Sequence, residues 1–178
     1  MRALVVYESM YGNTKEVAEA VAGGLAELRD TVVMEVGDAP DDLDPGLDLL
    51  VVGGPTHAHG MSRPQSRQSA ADDVPAGVVP SRTGLREWLG ALGRSRPGLS
   101  AAAFDTRFDK PRWLTGSAAV GAARLLGHHH CVLVVPPESF YVEHAAGPLA
   151  HGELDRARRW GEKLGTRQAS ASGHHPVP

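Results

Sequence analysis

The chain has 178 residues, enough for one domain with a sizeable core and too few for two such domains. Hydrophobic residues make up 42%, and 18 basic residues against 21 acidic ones give a net charge of −3. This balance excludes a wholly disordered chain and an electrostatic binder of nucleic acid, which needs a basic surface. With no long apolar run and a single cysteine, we expect a soluble cytoplasmic protein without a membrane span or internal disulfide.

The first part of the chain alternates apolar runs with an amphipathic stretch. Ala3–Tyr7 is a continuous apolar run, which predicts a strand covered on both faces. Spacings of three and four residues predict a buried helix face made of Val17, Val21, Leu25 and Leu28. Thr31–Val36 and Leu47–Val52 predict the second and third strands, and we expect the third to end sharply at Gly53-Gly54-Pro55.

A long polar stretch then interrupts the alternation. Residues 56–82 are rich in Ser, Arg, Gln, Ala and Pro and show no period, which predicts an inserted loop without regular structure. Such long connections serve as lids or binding loops, or they are disordered.

The remainder resumes the alternation of helices and strands. The predicted strands are Ser100–Asp105 and Cys131–Val135. The predicted helices are one on Leu85, Trp88, Leu89 and Leu92, one over Ser117–Leu126, and one burying Leu154, Ala157, Trp160 and Leu164. We expect residues 1–165 to form the domain and residues 166–178 to form a flexible tail.

Strands alternating with helices predict a three-layer α/β/α domain around a five-stranded parallel sheet. Ligands of doubly wound sheets bind at the carboxyl ends of the strands. We therefore expect the functional residues in the loops that follow Tyr7, Val52, Asp105 and Pro136.

The loop after the first strand offers neutral hydrogen-bonding groups at the start of a helix. Its residues are Ser9, Met10, Tyr11, Gly12, Asn13 and Thr14. Hydroxyls, an amide and the free N–H groups of a helix start make an anion site. With no lysine in the Walker position and no GxGxxG, the pattern favours a phosphate monoester, and the alternative is an ordinary turn that caps the helix.

This loop resembles the phosphate-binding loop of flavodoxin-like proteins, and Val51-Val52-Gly53-Gly54-Pro55-Thr56 resembles their second flavin loop. The resemblance implies the sheet order 2-1-3-4-5 and a non-covalent FMN. It implies that the phosphate binds at Ser9 to Thr14 and that the ring lies between the loops after strands three and four. We expect no catalytic and no metal-binding residues. The implied cofactor-binding residues are Ser9, Met10, Tyr11, Gly12, Asn13, Thr14, Pro55, Thr56, His57, His59, Gly60, Asp105, Thr106, Arg107 and Phe108.

The second loop departs from the family because histidines stand where a Trp or Tyr usually stacks on the flavin. His57 and His59 offer smaller rings whose protonation would make the redox potential depend on pH. Solvated loop histidines and a His-x-His metal pair are the alternatives.

The loop after the fourth strand carries basic and aromatic residues. Arg107, Lys110 and Arg112 offer positive charge for an anionic substrate or for the phosphates of a nicotinamide cofactor. Phe108 or Trp113 is expected to stack on the ring or to cover it, with a solvated basic loop and Trp113 as a core residue as the alternative.

The resemblance implies a redox protein in which the flavin carries the chemistry. One version is an electron carrier that docks on a redox partner protein, and the other is a reductase that passes electrons from NAD(P)H to a quinone or another small acceptor. A flavin-free regulatory or interaction module on the same fold is the alternative from another class. The sequence does not indicate an oligomeric state.

Overall fold

The structure is a computed structural model that describes residues 2–26, 30–57, 60–71, 79–93 and 97–172, with the backbone alone for 168–172. The strands are β1 (Arg2–Tyr7), β2 (Asp30–Glu35), β3 (Leu47–His57), β4 (Gly60–Met61), β5 (Ser100–Phe108), β6 (Val132–Leu133) and β7 (Glu138–Val142). The helices are α1 (Asn13–Ala26), α2 (Pro64–Ala71), α3 (Leu85–Ala91), α4 (Arg112–Thr115), α5 (Ala118–His128) and α6 (Glu153–Ser172).

The central sheet is parallel and has the order β2-β1-β3-β5-β6, with β7 also pairing in parallel with β5. This confirms the predicted fold class, because helices cover both faces of the sheet. One buried cluster packs α1 and α6 against one face, and the other packs α3 and α5 against the opposite face. None of the described helices is long and apolar enough to cross a membrane.

The outer strand of the sheet differs from the single predicted run Cys131–Val135. β6 is only two residues long, and Pro136 and Pro137, which have no N–H to donate, follow shortly after it. The chain returns to β5 as β7, where Phe104 pairs with Glu138 and Phe108 pairs with Val142. The outer position is therefore shared between two short strands.

β3 and β5 both continue beyond their predicted ends. Gly53, Gly54 and Pro55 were expected to end the third strand, but they pair with Phe104–Thr106 of β5. Beyond them, Thr56 and His57 form an antiparallel hairpin with β4. The expectation of a sharp end was wrong, because pairing with a neighbouring strand outweighs the weak local preference of these residues for a strand.

The stretch 56–82 is more ordered than predicted. It contains β4 and the helix α2, while residues 72–78 lie outside the described part. The expectation of an insertion without regular structure was therefore wrong for Gly60–Met61 and Pro64–Ala71.

Helices α1 and α6 bury most, but not all, of the residues that the sequence pattern predicted to be buried. Val17, Val21 and Leu25 are buried as predicted, and Leu28 lies outside the described residues. In α6, Ala157, Trp160 and Leu164 are buried, but Leu154 lies one turn earlier and is exposed. α6 also continues to Ser172, past residue 166 where the tail was predicted, and residues 173–178 are not described.

Helices α1 and α6 approach each other at glycines. A Cβ atom on Gly24 would lie 2.1 Å from the carbonyl oxygen of Arg158, and one on Gly161 would lie 2.1 Å from the carbonyl oxygen of Val21. The two helix backbones are thus in direct contact, which fixes the distance between them.

An aromatic cluster lies beneath these helices. Phe104, Phe140 and Trp160 form edge-to-face pairs with centroid distances of 5.9, 6.1 and 6.0 Å. Phe104 packs directly on the backbone of β3, where a Cβ on Gly53 would lie 2.0 Å from its Cζ.

Candidate functional site

A cleft of about 390 Å³ opens at the carboxyl edge of the sheet, where the loop after β1 meets the carboxyl ends of β3 and β5. This is the edge at which doubly wound sheets bind their ligands. The cleft is lined by Met10, Tyr11, Asn13, Thr14, Pro55, Thr56, His57, Ser66, Ser69, Ala70, Thr106, Arg107, Phe108, Val142 and Ala145.

The first loop is organised around the buried hydroxyl of Ser9. Its Oγ accepts hydrogen bonds from the N–H groups of Gly12 at 3.1 Å and Lys15 at 3.4 Å. The N–H of Ser9 in turn donates to Ser81 Oγ at 2.9 Å. Gly12 has φ +94°, a left-handed conformation that favours glycine and turns the chain into α1.

The members of this loop point in two directions. Met10, Tyr11, Asn13 and Thr14 line the cleft. Ser9 and Gly12 instead border a second groove on the other side of the loop. The structure thus separates the residues that present hydrogen-bonding groups to the cleft from those that shape the turn.

A pair of hydroxyl groups joins the start of α1 to the end of β5. The Oγ1 atoms of Thr14 and Thr106 lie 2.8 Å apart, and both residues are buried. Each hydroxyl can donate to the other or to a ligand, so either one can replace the present hydrogen bond by a hydrogen bond to a ligand.

Asp105 on β5 connects the end of β3 to the start of α5. Its buried Oδ2 accepts hydrogen bonds from Thr56 Oγ1 at 3.0 Å, Ser117 Oγ at 2.6 Å and the Ala119 N–H at 3.0 Å. The last two partners belong to the start of α5, where a negative charge is favourable. Asp105 does not line the cleft, so its position is that of a support for Thr56.

Arg107 supports the turn that leads into α4. Its side chain is buried and donates to Thr115 Oγ1 at 2.7 Å and to the carbonyl oxygen of Lys110. The guanidinium also lies 6.0 Å from the centre of the Tyr141 ring. Both of these hydrogen bonds come from Nη2, whereas the buried Nε has no hydrogen-bond partner among the described residues, and Arg107 contributes to the cleft wall.

The two aromatic candidates of the third loop occupy different places. Phe108 lines the cleft, whereas Trp113 is 84% exposed and does not line it. Trp113 is therefore not part of the cleft wall and not a core residue, so the alternative that placed it in the core was wrong. It lies on α4, which the sequence pattern did not predict.

His57 is the imidazole that reaches the cleft. Its buried Nε2 has no hydrogen-bond partner among the described residues. Burial lowers the pKa of His57, and the positive charge of Arg67 lowers it further, so the ring is neutral near pH 7. His59 lies outside the described residues, and Gly60 borders a neighbouring groove.

Two groups of lining residues were missed by sequence reasoning. Val142 and Ala145 belong to β7 and the loop after it, which the prediction of a single fifth strand left out. The other group lies on α2, and its spacing of three and four residues is that of a single helix face. The residues of this group are Ser66, Ser69 and Ala70. Their spacing is the sequence signal that could have indicated a helix within the stretch 56–82.

The buried Arg67 anchors α2 by hydrogen bonds and by an ion pair with the exposed Glu87. Arg67 donates to Ser62 Oγ at 2.8 Å, to the Arg82 carbonyl at 3.2 Å and to Glu87 Oε2 at 3.2 Å. Nearby, the buried Glu8 accepts a hydrogen bond from the Leu85 N–H at 2.8 Å. Burial raises the pKa of Glu8, outweighing hydrogen bonds from Ser62 and Leu85 and the charge of Arg67, which lower it.

We expect Glu8→Gln to become progressively more stable than the parent as the pH rises. Because the folded-state pKa of Glu8 is raised, its stabilising contribution is full below the ordinary pKa of about 4.3 and is lost as the pH rises through the folded value. Glutamine cannot ionise and escapes that loss. Urea unfolding of both proteins from pH 4 to 8 measures the difference. A difference in the free energy of unfolding that does not change with pH would contradict the assignment.

Comparisons with known proteins agree with this architecture. The sequence model of the family described as Flavodoxin matches residues 5–103, more than half of the chain. No curated protein matches the chain in sequence.

Solved structures share the fold at low sequence identity. A flavodoxin from the domain Archaea is similar, with a TM-score of 0.66 and 21% identity over 95% of this chain and 99% of that one. A flavodoxin, WrbA-like protein from Agrobacterium tumefaciens has a TM-score of 0.57 and 21% identity, over 95% of this chain and 98% of that one. Oxidised Flavodoxin 2 from Bacillus cereus has a TM-score of 0.62 and 15% identity, over 96% of this chain and 99% of that one.

Proposed function

Because this chain belongs to the flavodoxin family, we propose that it binds FMN non-covalently in the cleft and transfers electrons to a redox partner protein through the bound flavin. The observation that carries the proposal is the cleft itself: the loop after β1 meets the carboxyl ends of β3 and β5 there, and this loop opens onto the cleft at the start of α1. FMN supplies the electron transfer when bound, so the chain needs no acid–base pair.

The donor set at the start of α1 suits a phosphate monoester. Tyr11, Asn13 and Thr14 bring two hydroxyls and an amide to the cleft. The first N–H groups of a helix have no partner within the helix and lie at the positive end of its dipole. Lys15 points away from this group, bordering the second groove and lying 3.9 Å from Glu19. Neutral donors would therefore hold the phosphate.

The walls of the cleft suit the flavin ring. The carboxyl ends of the paired strands β3 and β5, Pro55–His57 and Thr106–Phe108, line the cleft side by side, and the buried Nε2 of His57 lacks a partner among the described residues. A neutral imidazole nitrogen can donate to or accept from a heteroatom of the ring, depending on its tautomer. The side chain of Phe108 is 41% exposed at the mouth of the cleft, where it can cover part of a bound ring.

Titration with FMN tests the proposal. We expect the purified chain to quench FMN fluorescence saturably at one site per chain, or to carry a yellow flavin already. Protein that is colourless and does not take up added FMN would overturn the proposal and favour a flavin-free module.

Mixing the loaded protein with NAD(P)H in the absence of oxygen separates the carrier from the reductase. We expect an electron carrier to bleach slowly, whereas rapid bleaching would indicate the reductase. We propose that the protein is cytoplasmic, because a sequence with one cysteine forms no internal disulfide, the bond that is typical of oxidising compartments.

We expect Thr14→Val to weaken FMN binding by about 1–3 kcal/mol, since valine has the same shape but cannot donate to a charged phosphate. The Kd for FMN, measured by fluorescence quenching, checks this. The control is Thr83→Val, an exposed threonine that borders the second groove and not the cleft. Equal Kd values for both variants would argue against the placement of the phosphate.

A further inference from the structure

The short helix α4 exposes large apolar side chains next to the cleft. Trp113 is 84% exposed and Leu114 is 49% exposed. α4 begins shortly after Phe108, which lies at the mouth of the cleft. Exposed apolar groups that cluster beside a functional cleft are typical of an interaction surface.

The fold holds this helix in a fixed position. Arg107 donates to Thr115 Oγ1 at 2.7 Å at one end of α4. Arg112 at the other end donates to the Pro137 carbonyl and to Ser139 Oγ, each at 3.2 Å. Trp113 is therefore presented on a braced helix, which reduces the entropy that a partner must overcome when it binds.

The groove that Arg112 of α4 borders is basic. Its volume is about 490 Å³, and its lining includes Arg86, Arg112, Arg124 and His128 but no acidic residue. In the described part of the chain, Arg124 makes no ion pair or hydrogen bond with its side chain. This local positive charge contrasts with the net charge of −3. A surface of this sign attracts a negatively charged partner.

We propose that α4 and the basic groove beside it form the docking surface for an acidic electron-transfer protein. Trp113 would be the apolar anchor and Arg124 an electrostatic contact, in agreement with the enrichment of Trp and Arg among residues that dominate binding energies. The location beside Phe108 brings the partner to the mouth of the proposed flavin cleft. The proposal rests on the electron-transfer function proposed above.

Cytochrome c and its fully succinylated form provide a matched pair of probes. They share one fold and one haem, but succinylation replaces the lysine charges around the haem edge with carboxylates. We expect the FMN-loaded protein to bind the succinylated form more tightly, with an affinity that falls as salt is added. With the flavin reduced beforehand by dithionite, one electron passes to each ferric haem, and this rate should show the same preference. Binding is measured on the unloaded protein as well, so a failure of FMN uptake leaves the docking test readable.

Single variants locate the surface. We expect Arg124→Glu and Trp113→Ala each to weaken binding of the succinylated form about tenfold. The matched control is Arg159→Glu, which makes the same change of charge at an exposed position on α6, across the sheet from α5. Equal binding of both cytochrome forms, or equal effects of Arg124→Glu and Arg159→Glu, would overturn the proposal. A dimer of the chain that Trp113→Ala dissociates would also overturn it, because a second copy would then occupy the surface.

Discussion

Gly24→Ala is expected to destabilise the protein by about 3 kcal/mol, although it adds only one methyl group to a helix. The new Cβ would lie 2.1 Å from the Arg158 carbonyl oxygen and 2.9 Å from the Glu162 backbone nitrogen. Both are backbone atoms of α6 and cannot turn aside as a side chain would. α1 and α6 must therefore move apart, which opens the packing of Val21 and Leu164 in the buried cluster between them.

Gly23→Ala is the matched control for this prediction. The Cβ of an alanine at position 23 would lie 3.7 Å from the Arg158 side chain, an ordinary contact. Alanine has a higher helix propensity than glycine, so this neighbouring change should stabilise the protein by about 0.5–1 kcal/mol. Urea unfolding of both variants measures the free energies. If Gly24→Ala is as stable as Gly23→Ala, the close contact between the helix backbones is absent in solution.

Gly53→Ala should also lower the stability by about 3 kcal/mol, here through the aromatic cluster. The added Cβ would lie 2.0 Å from Cζ and 2.3 Å from Cε1 and Cε2 of Phe104. Phe104 is fully buried and held edge to face by Phe140 and Trp160, so its ring has no space into which to turn. Thermal and urea unfolding measure the loss.

The neighbouring glycine again offers a control. Gly54→Ala would bring its Cβ 3.4 Å from Leu85 Cδ2, at the edge of ordinary contact, so a much smaller loss is expected. The double variant Gly53→Ala/Phe104→Leu makes room for the new methyl group. Its loss should therefore be smaller than the sum of the two single losses. Additive losses would show that the methyl group and the Phe104 ring do not collide.

The fold could be predicted largely because its evidence is local. Continuous apolar runs such as Ala3–Tyr7 and the helix face of Val17, Val21 and Leu25 depend on spacing within a few residues, and the structure buries all of them. The end of β3 could not be predicted in this way. Gly53-Gly54-Pro55 carries the local pattern of a turn, and only the pairing with Phe104–Thr106, about fifty residues away in the chain, extends the strand.

The candidate site shows the same division. The loops that line the cleft were placed by the rule that ligands bind at the carboxyl ends of parallel strands. The direction of each side chain within a loop was beyond that rule. Asp105 turns inward to bind Thr56 and Ser117, while Thr106 beside it borders the cleft. Adjacent residues of an extended strand point to opposite sides, and register in the sheet decides which side is buried.

The glycine contact between α1 and α6 also bears on the order in which the molecule is built during translation. The ribosome completes the first loop and α1 early, whereas α6 is the last described element of the chain. Until α6 emerges, the side of α1 that holds Gly24 lacks its backbone contact with Arg158. The loop that leads into α1 is thus made before the helix that packs against α1, and the contact between the two helices forms only after α6 has been synthesised.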